Sequence, residues 1–297
     1  MTNLFRVTEQ STTARSLAGL QAGQSRLERL REQVTTGKQV SKPSDSPIGA
    51  VSAMQIRSDI ATRDRYVRSS ADGLARLGTA ENALTSASTL LNNVRDLVLQ
   101  GMSAPAAGDP TSQAAIATEI ASLRDAMLSV ANTSYLGRPV FGGTTSGEQA
   151  FNAAGTYVGD TGQVQRRVAD GVQVRVDVPA TVFGTGTTNQ VFAVLDSVVN
   201  AMRTDPSTLS GDLDRLDSAL RTVGTELAGV GTRYSQLTSA SDAADIQTVA
   251  LTSRLSDIED VDLAKAVIDL QTQNVGYEAA LAATARVVQP SLVDFLR

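Results

Sequence analysis

The chain has 297 residues, contains no cysteine, histidine or tryptophan, and is only 4% aromatic. Thiol nucleophiles, imidazole bases, disulfides and zinc sites of the usual kind are therefore excluded. The net charge of −5 hides an asymmetry: residues 1–76 hold 12 Lys/Arg against 7 Asp/Glu, whereas residues 238–297 hold 4 against 9. The basic start alternates arginines with acids on an amphipathic pattern, so it reads as a solvated helix face and not as a nucleic-acid arm. A basic beginning and an acidic end are expected to attract each other, within one chain or between copies. No stretch reaches the roughly 18 apolar residues of a membrane span. The opening MTNLFRVTEQ has no apolar run of the kind found in a cleaved signal peptide.

In chain order, a first helix is expected over about 3–36, with the seam Leu17, Leu20, Gln24, Leu27, Arg31 and Val34. A loop from Thr36 to Pro47 follows, and Ser46 before Pro47 reads as an N-cap with proline at the first helical position. The second helix runs to about Gly101, with Leu77, Leu84, Leu91 and Val98 seven apart and Ala80, Ala87 and Val94 between them. Asp109-Pro110 opens a third by the same logic, with Ile116, Ile120, Leu123, Met127 and Val130 along its seam.

The insert at 136–190 holds ten of the 23 glycines. Its stretch Val172–Val178 alternates with the period of a half-buried strand, and Asp170-Gly171 before it signals a two-residue primed turn. Beyond it, Asp205-Pro206 marks a further helix start. From there Leu209, Leu213, Leu216, Leu220, Val223, Leu227, Val230, Tyr234 and Leu237 alternate steps of four and three. That spacing is the coiled-coil condition, and a helix from Leu209 to Ile258 would be roughly 75 Å long. The seams together suggest a three-helix bundle.

Three motifs invite a chemical reading. Gly37-Lys38 lacks the upstream glycine of a phosphate loop, since Glu32 stands in its place. Phe141–Gly147 could cradle an anion, but turn glycines between short strands explain it. Asp257, Glu259, Asp260 and Asp262 could bind a cation, but Ser256–Glu259 reads as a capping box at a helix start. No general base pairs with a serine nucleophile, so no catalytic, cofactor or metal residue is assigned.

These residues carry a resemblance. Thr36-Gly37-Lys38 with Pro43-Ser44-Asp45-Ser46-Pro47-Ile48-Gly49-Ala50 resembles the loop of the flagellin superfamily, in the form of its hook–filament junction branch. Leu255–Ala264, Tyr277–Leu281 and the apolar end Leu292-Val293-Asp294-Phe295-Leu296 are similar to flagellin-like C-termini, and Tyr157-Val158-Gly159-Asp160 to a segment of the branch's β domain. Ser46 departs from the commoner Asp-Asp-Pro form of the loop.

The resemblance implies a non-enzymatic building part of the bacterial flagellum. It would be secreted through the type III export apparatus without a cleaved signal and would self-assemble between hook and filament. The implied partners are copies of itself, hook-associated protein 1, flagellin and an export chaperone, with no cofactor, nucleic acid or membrane. Rival readings are a filament flagellin and, in another class, a cytoplasmic coiled-coil scaffold or signalling protein.

The expected fold is mainly α with a β-rich insert, elongated, its terminal helices paired. Its parts are an N-terminal arm (1–45), a helical core (46–135 and 191–258) around the insert (136–190), and a C-terminal arm (259–297). The candidate assembly seam is Leu17, Leu20, Leu27, Val34, Leu263, Val267, Leu270, Tyr277, Leu281, Val288, Leu292, Phe295 and Leu296. The candidate core seam is Leu77, Leu84, Leu91, Leu123, Leu216, Leu220 and Leu227.

Overall fold

A computed structural model describes the backbone of residues 3–103, 109–184 and 190–288, and within these spans the side chains of Ser11 and of residues 14–285. Among the described residues the helices are α1 (Asn3–Thr36), α2 (Pro47–Gly101), α3 (Pro110–Ala131), α4 (Val191–Thr204), α5 (Leu209–Glu259) and α6 (Leu263–Val288). Between α3 and α4 lie two two-stranded antiparallel sheets: β1 (Ser134–Tyr135) with β2 (Arg138–Pro139), and β3 (Gln165–Ala169) with β4 (Val172–Arg175). The fold is mainly helical with small central β-sheets, as the sequence leads one to expect. Its contacts divide it into two bodies, a terminal one of residues 1–61 and 249–297 and a central one of residues 62–248.

The helix starts follow from their caps. Ser46 Oγ accepts from Gly49 N at 3.1 Å, which opens α2. Asp109 accepts from Thr111 N and Ser112 N, with Pro110 in the first turn of α3. Asp205 accepts from Ser207 N at 3.1 Å and opens a 3₁₀ turn, Pro206–Thr208, that runs into α5.

In the central body, Leu77, Ala80, Leu84, Ala87, Leu91, Val94 and Val98 of α2 are all buried. In α5 the seam splits into two grades. Leu209, Leu216, Val223, Val230 and Leu237, each seven apart, are fully buried, while Leu213, Leu220 and Leu227 are only half-buried. Along α3, Ile116, Ile120 and Met127 are buried and Leu123 and Val130 are half-buried. Helices α2 and α5 meet through Arg95 Nε and Asp217, 2.8 Å apart. They also meet at Gly73, where an added Cβ would stand 3.1 Å from Leu237 Cδ1.

The expected three-helix bundle gains a fourth member. Helix α4 buries Val191, Phe192, Val194, Leu195, Val198, Ala201 and Met202, packs on α3, and is tied to it by Arg124 Nε and Asp196 at 2.7 Å. It falls within the stretch expected to be helical core, but its start carries no side-chain cap to mark it as a separate helix.

The insert shares the bundle's core. Val140, Phe141, Phe151, Val168, Val174, Val176, Val178, Val182 and Phe183 belong to the same buried cluster as the helix seams. Polar staples fix it in place. Asp72 of α2 accepts from Tyr135 Oη at 3.1 Å and Arg166 Nε at 2.6 Å, and Arg233 of α5 donates to the Asp177 carbonyl at 2.7 Å.

The β3–β4 hairpin does not turn as expected. At Asp170-Gly171 only Gly171 has a positive φ, of 70°, so the turn is not a primed one; a bulge between Arg167 and Ala169 supplies the extra twist. The turn with two left-handed residues is Leu136-Gly137, at φ 50° and 75°. A branched leucine is strained there, and its side chain is 80% exposed. Leu136→Asn should therefore stabilise the central body by about 0.5–1 kcal/mol, read as a raised denaturant midpoint at unchanged slope.

Candidate functional site

The terminal body is organised by the root of its helices. Helix α1 ends where Gly37 takes a φ of 70° and donates its N–H to Gln33 O at 2.8 Å, a left-handed C-cap that glycine adopts without strain. This explains the glycine of Thr36-Gly37-Lys38. Past the cap the loop pairs with the α5–α6 turn. Gln39 N donates to Glu259 O at 2.6 Å, Val261 N donates to Gly37 O at 2.9 Å, and Lys38 bridges Asp260 antiparallel. Asp45 folds the loop by accepting from Lys42 N at 2.9 Å and Ser41 N at 3.2 Å.

Ser256–Glu259 is the end of α5, not a capping box at a helix start. Glu259 is buried and faces Lys38 Nζ at 2.6 Å and Arg57 NH2 at 2.8 Å. The cap of α6 is Asp262, which accepts from Lys265 N at 3.1 Å. A Ser-x-x-Glu string fits both arrangements, and only the interruption of the helix at 260–262 separates them. The attraction expected between basic start and acidic end takes this concrete form. Among the described residues no group of three acids is placed to hold a metal ion.

Helices α1 and α6 pack against each other. Of the candidate assembly residues on α1, Leu27 is buried, Leu20 and Val34 are half-buried and Leu17 is 57% exposed. The covered line runs through half-buried Leu20, Gly23, Leu30 and Val34 on either side of buried Leu27, whereas Gln24 and Arg31 are exposed. Of the expected leucines, Leu20 and Leu27 fall on this line and Leu17 does not, and Gly23 and Leu30 stand in place of Gln24 and Arg31.

On α6, Leu270 and Tyr277 are half-buried beside a buried Ala266, while Leu263, Val267 and Leu281 are exposed. Tyr277 sits on Gly23, where an added Cβ would stand 3.2 Å from its ring. Ile268 and Val275, on a further face of α6, are 62% and 67% exposed. Val288 ends α6, with its side chain outside the described residues; Leu292, Phe295 and Leu296 lie outside them altogether. The terminal body therefore leaves large apolar side chains exposed along α6 and, with Ile48, Val51 and Met54, at the start of α2. Where exposed apolar groups gather they mark interaction sites.

The insert's segments Phe141–Thr145 and Tyr157–Gly162 close on each other. The Asp160 carboxylate accepts from Thr144 N at 2.7 Å, Thr144 Oγ1 at 2.9 Å and Gly162 N at 2.8 Å, while Asp160 N donates to Gly142 O. The glycine-rich loop does cradle an anion, and the anion is the chain's own carboxylate. Beside it lies a recess of about 610 Å³ lined by Phe151, Tyr157, Arg175, Asp177 and Gln190 among others. Its charged groups and Gln190 are already partnered: Asp177 accepts from Val164 N and Arg175, and Gln190 donates to Gly155 O. It holds no nucleophile–base pair.

Four carboxyls lie below the ordinary aspartate value of 3.8, chiefly through hydrogen bonds: Asp45 from Lys42 N, Asp109 from Ser112 Oγ, Asp160 from Thr144 N and Asp205 from the Ser207 side chain. A depressed folded pKa contributes stability at neutral pH that is lost as pH falls through the ordinary value toward the folded one. Thermal midpoints should therefore hold steady from neutrality down to about pH 5 and fall below about pH 4. Asp160→Asn should flatten that fall, because it removes one of the titrating bonds at every pH.

Comparison with known proteins matches this architecture. The bacterial flagellin N-terminal helical region matches residues 7–146, and the bacterial flagellin C-terminal helical region matches residues 213–296. Flagellar hook-associated protein 3 of Escherichia coli K12 is 26% identical over 94% of this chain and 96% of its own length. A flagellin of Bacillus subtilis is 24% identical over 96% and 97%. The solved flagellar junction protein FlgL of Legionella pneumophila superposes with a TM-score of 0.57 at 14% identity, covering 70% of this chain and 99% of its own. Helical segments that match at both ends and frame a small β insert place the chain in the bacterial flagellin family.

Proposed function

We propose that this protein is a non-enzymatic structural subunit of the bacterial flagellum, seated at the junction between hook and filament. The observation that carries this is the match, nearly end to end, with a flagellar hook-associated protein 3. The terminal body supplies the physical means. Its two helices cover each other along only one line and leave Leu17, Leu263, Val267, Ile268, Val275 and Leu281 for neighbours. On this reading the assembly seam includes both the α1–α6 line and these exposed residues, and Leu77, Leu84, Leu91, Leu123, Leu216, Leu220 and Leu227 hold the central body that carries it.

The neighbours are copies of itself, hook-associated protein 1 on the hook side and flagellin on the filament side. A flagellar export chaperone would cover the apolar arm before export. The chain works outside the cell, and among the described residues no helix is long and apolar enough to cross a membrane. Insert size does not separate this reading from a filament flagellin, because the Bacillus subtilis flagellin is matched over 97% of its length. Position on the organelle does. Labelling of isolated flagella should give a single narrow band where filament meets hook. Label along the whole filament would make the chain a flagellin, and label confined to the cytoplasm would make it a scaffold.

A further inference from the structure

We propose that Glu259 is an ionic lock that makes docking of the two terminal helices conditional on Lys38 and Arg57. The Glu259 side chain is 3% exposed, while Lys38 is 40% and Arg57 57% exposed. Lys38 Nζ donates to Oε2 at 2.6 Å, and Arg57 NH2 lies 2.8 Å from each carboxylate oxygen. The three residues come from three separate segments: the loop after α1, the early turns of α2 and the last residue of α5. The lock stands at the root of both terminal helices, since α1 ends at Thr36 and α6 begins at Leu263.

The energetics are lopsided. The two cations can return to water at little cost, but the carboxylate cannot stay buried without them. Opening therefore has to bring Glu259 out of its site. That movement breaks the backbone pairing of Gln39 N with Glu259 O and of Val261 N with Gly37 O. Docking becomes all-or-none at a place where the α1–α6 seam is too thin to decide it alone: Leu27 is its one large buried residue on α1 and Ala266 the buried residue on α6 among the described side chains. The inference concerns the isolated monomer and stands apart from the junction reading.

The test is amide hydrogen exchange on the purified full-length chain. Glu259→Gln should speed exchange in residues 23–36 and 263–284 about tenfold or more, with residues 209–237 unchanged. Lys38→Met with Arg57→Met should speed it further, because the charge is stranded. Adding Glu259→Gln to that pair should slow exchange again, which lost packing would not do. The proposal is overturned if Glu259→Gln exchanges like wild type or if the triple variant is no slower than the double.

Discussion

Phe151→Ala is expected to destabilise the central body by about 3–5 kcal/mol, lowering its thermal midpoint by roughly 10 °C. Phe151 is 1% exposed and meets three other rings: Phe183 at 5.5 Å, Phe192 at 5.3 Å and Tyr157 at 5.4 Å between centroids. Phe141 joins through Phe183 at 5.0 Å, nearly edge-on at 84°. Four of the chain's six phenylalanines thus stand in one cluster where the insert meets α4. The neighbours cannot collapse into the vacated space. The Phe151 amide and carbonyl are held by Asn132, and Gly155 has so little room beside Phe192 that even a methyl group would collide. Calorimetry of the full chain reads the result, and an unchanged midpoint would mean that the rings are not a core.

That cluster was not legible in the sequence. Its members lie at 141, 151, 183 and 192, three of them in the irregular insert and one at the start of α4, and only the fold brings them together. Where periodicity is strong the reading goes through: all seven seam residues between Leu77 and Val98 are buried. The α5 seam was legible as a line, but not in its depth. Spacing alone does not say that Leu216 is fully buried while Leu220 is half-buried, because the difference depends on which partner faces each position. Truncating Leu216 should accordingly be the more damaging of the two changes.

In the terminal helices the pattern is thinner, and the choice between Gly23 and Gln24, or Ala266 and Val267, went to the small residue. Small residues let two helix backbones approach closely, and hydrophobicity alone gives no hint of it. The Glu259 site is the extreme case. Its three charged residues are separated by up to 221 positions, and the local string around Glu259 imitates a helix start.

Deleting residues 263–297 is expected to leave the central body folded and to abolish assembly. Every residue of the central hydrophobic cluster, from Leu77 to Leu237, lies within residues 62–248, so the deletion removes none of its packing. The cooperative unfolding of the truncated chain should keep its midpoint within about 2 °C of the full chain. The terminal body, in contrast, loses the partner of α1, and Leu20, Leu27 and Leu30 are left uncovered. It also loses the exposed apolar residues Leu263, Val267, Ile268, Val275 and Leu281, which the proposed assembly gives to neighbours. A subunit without them can be made and folded but has nothing with which to hold its place between hook and filament. Cells relying on it should release flagellin into the medium and swim poorly, measured by flagellin in culture supernatants and by spreading in soft agar. If the truncated chain supported filaments of normal length, α6 would not be an assembly element. The exposed apolar faces of the terminal body would then need another explanation.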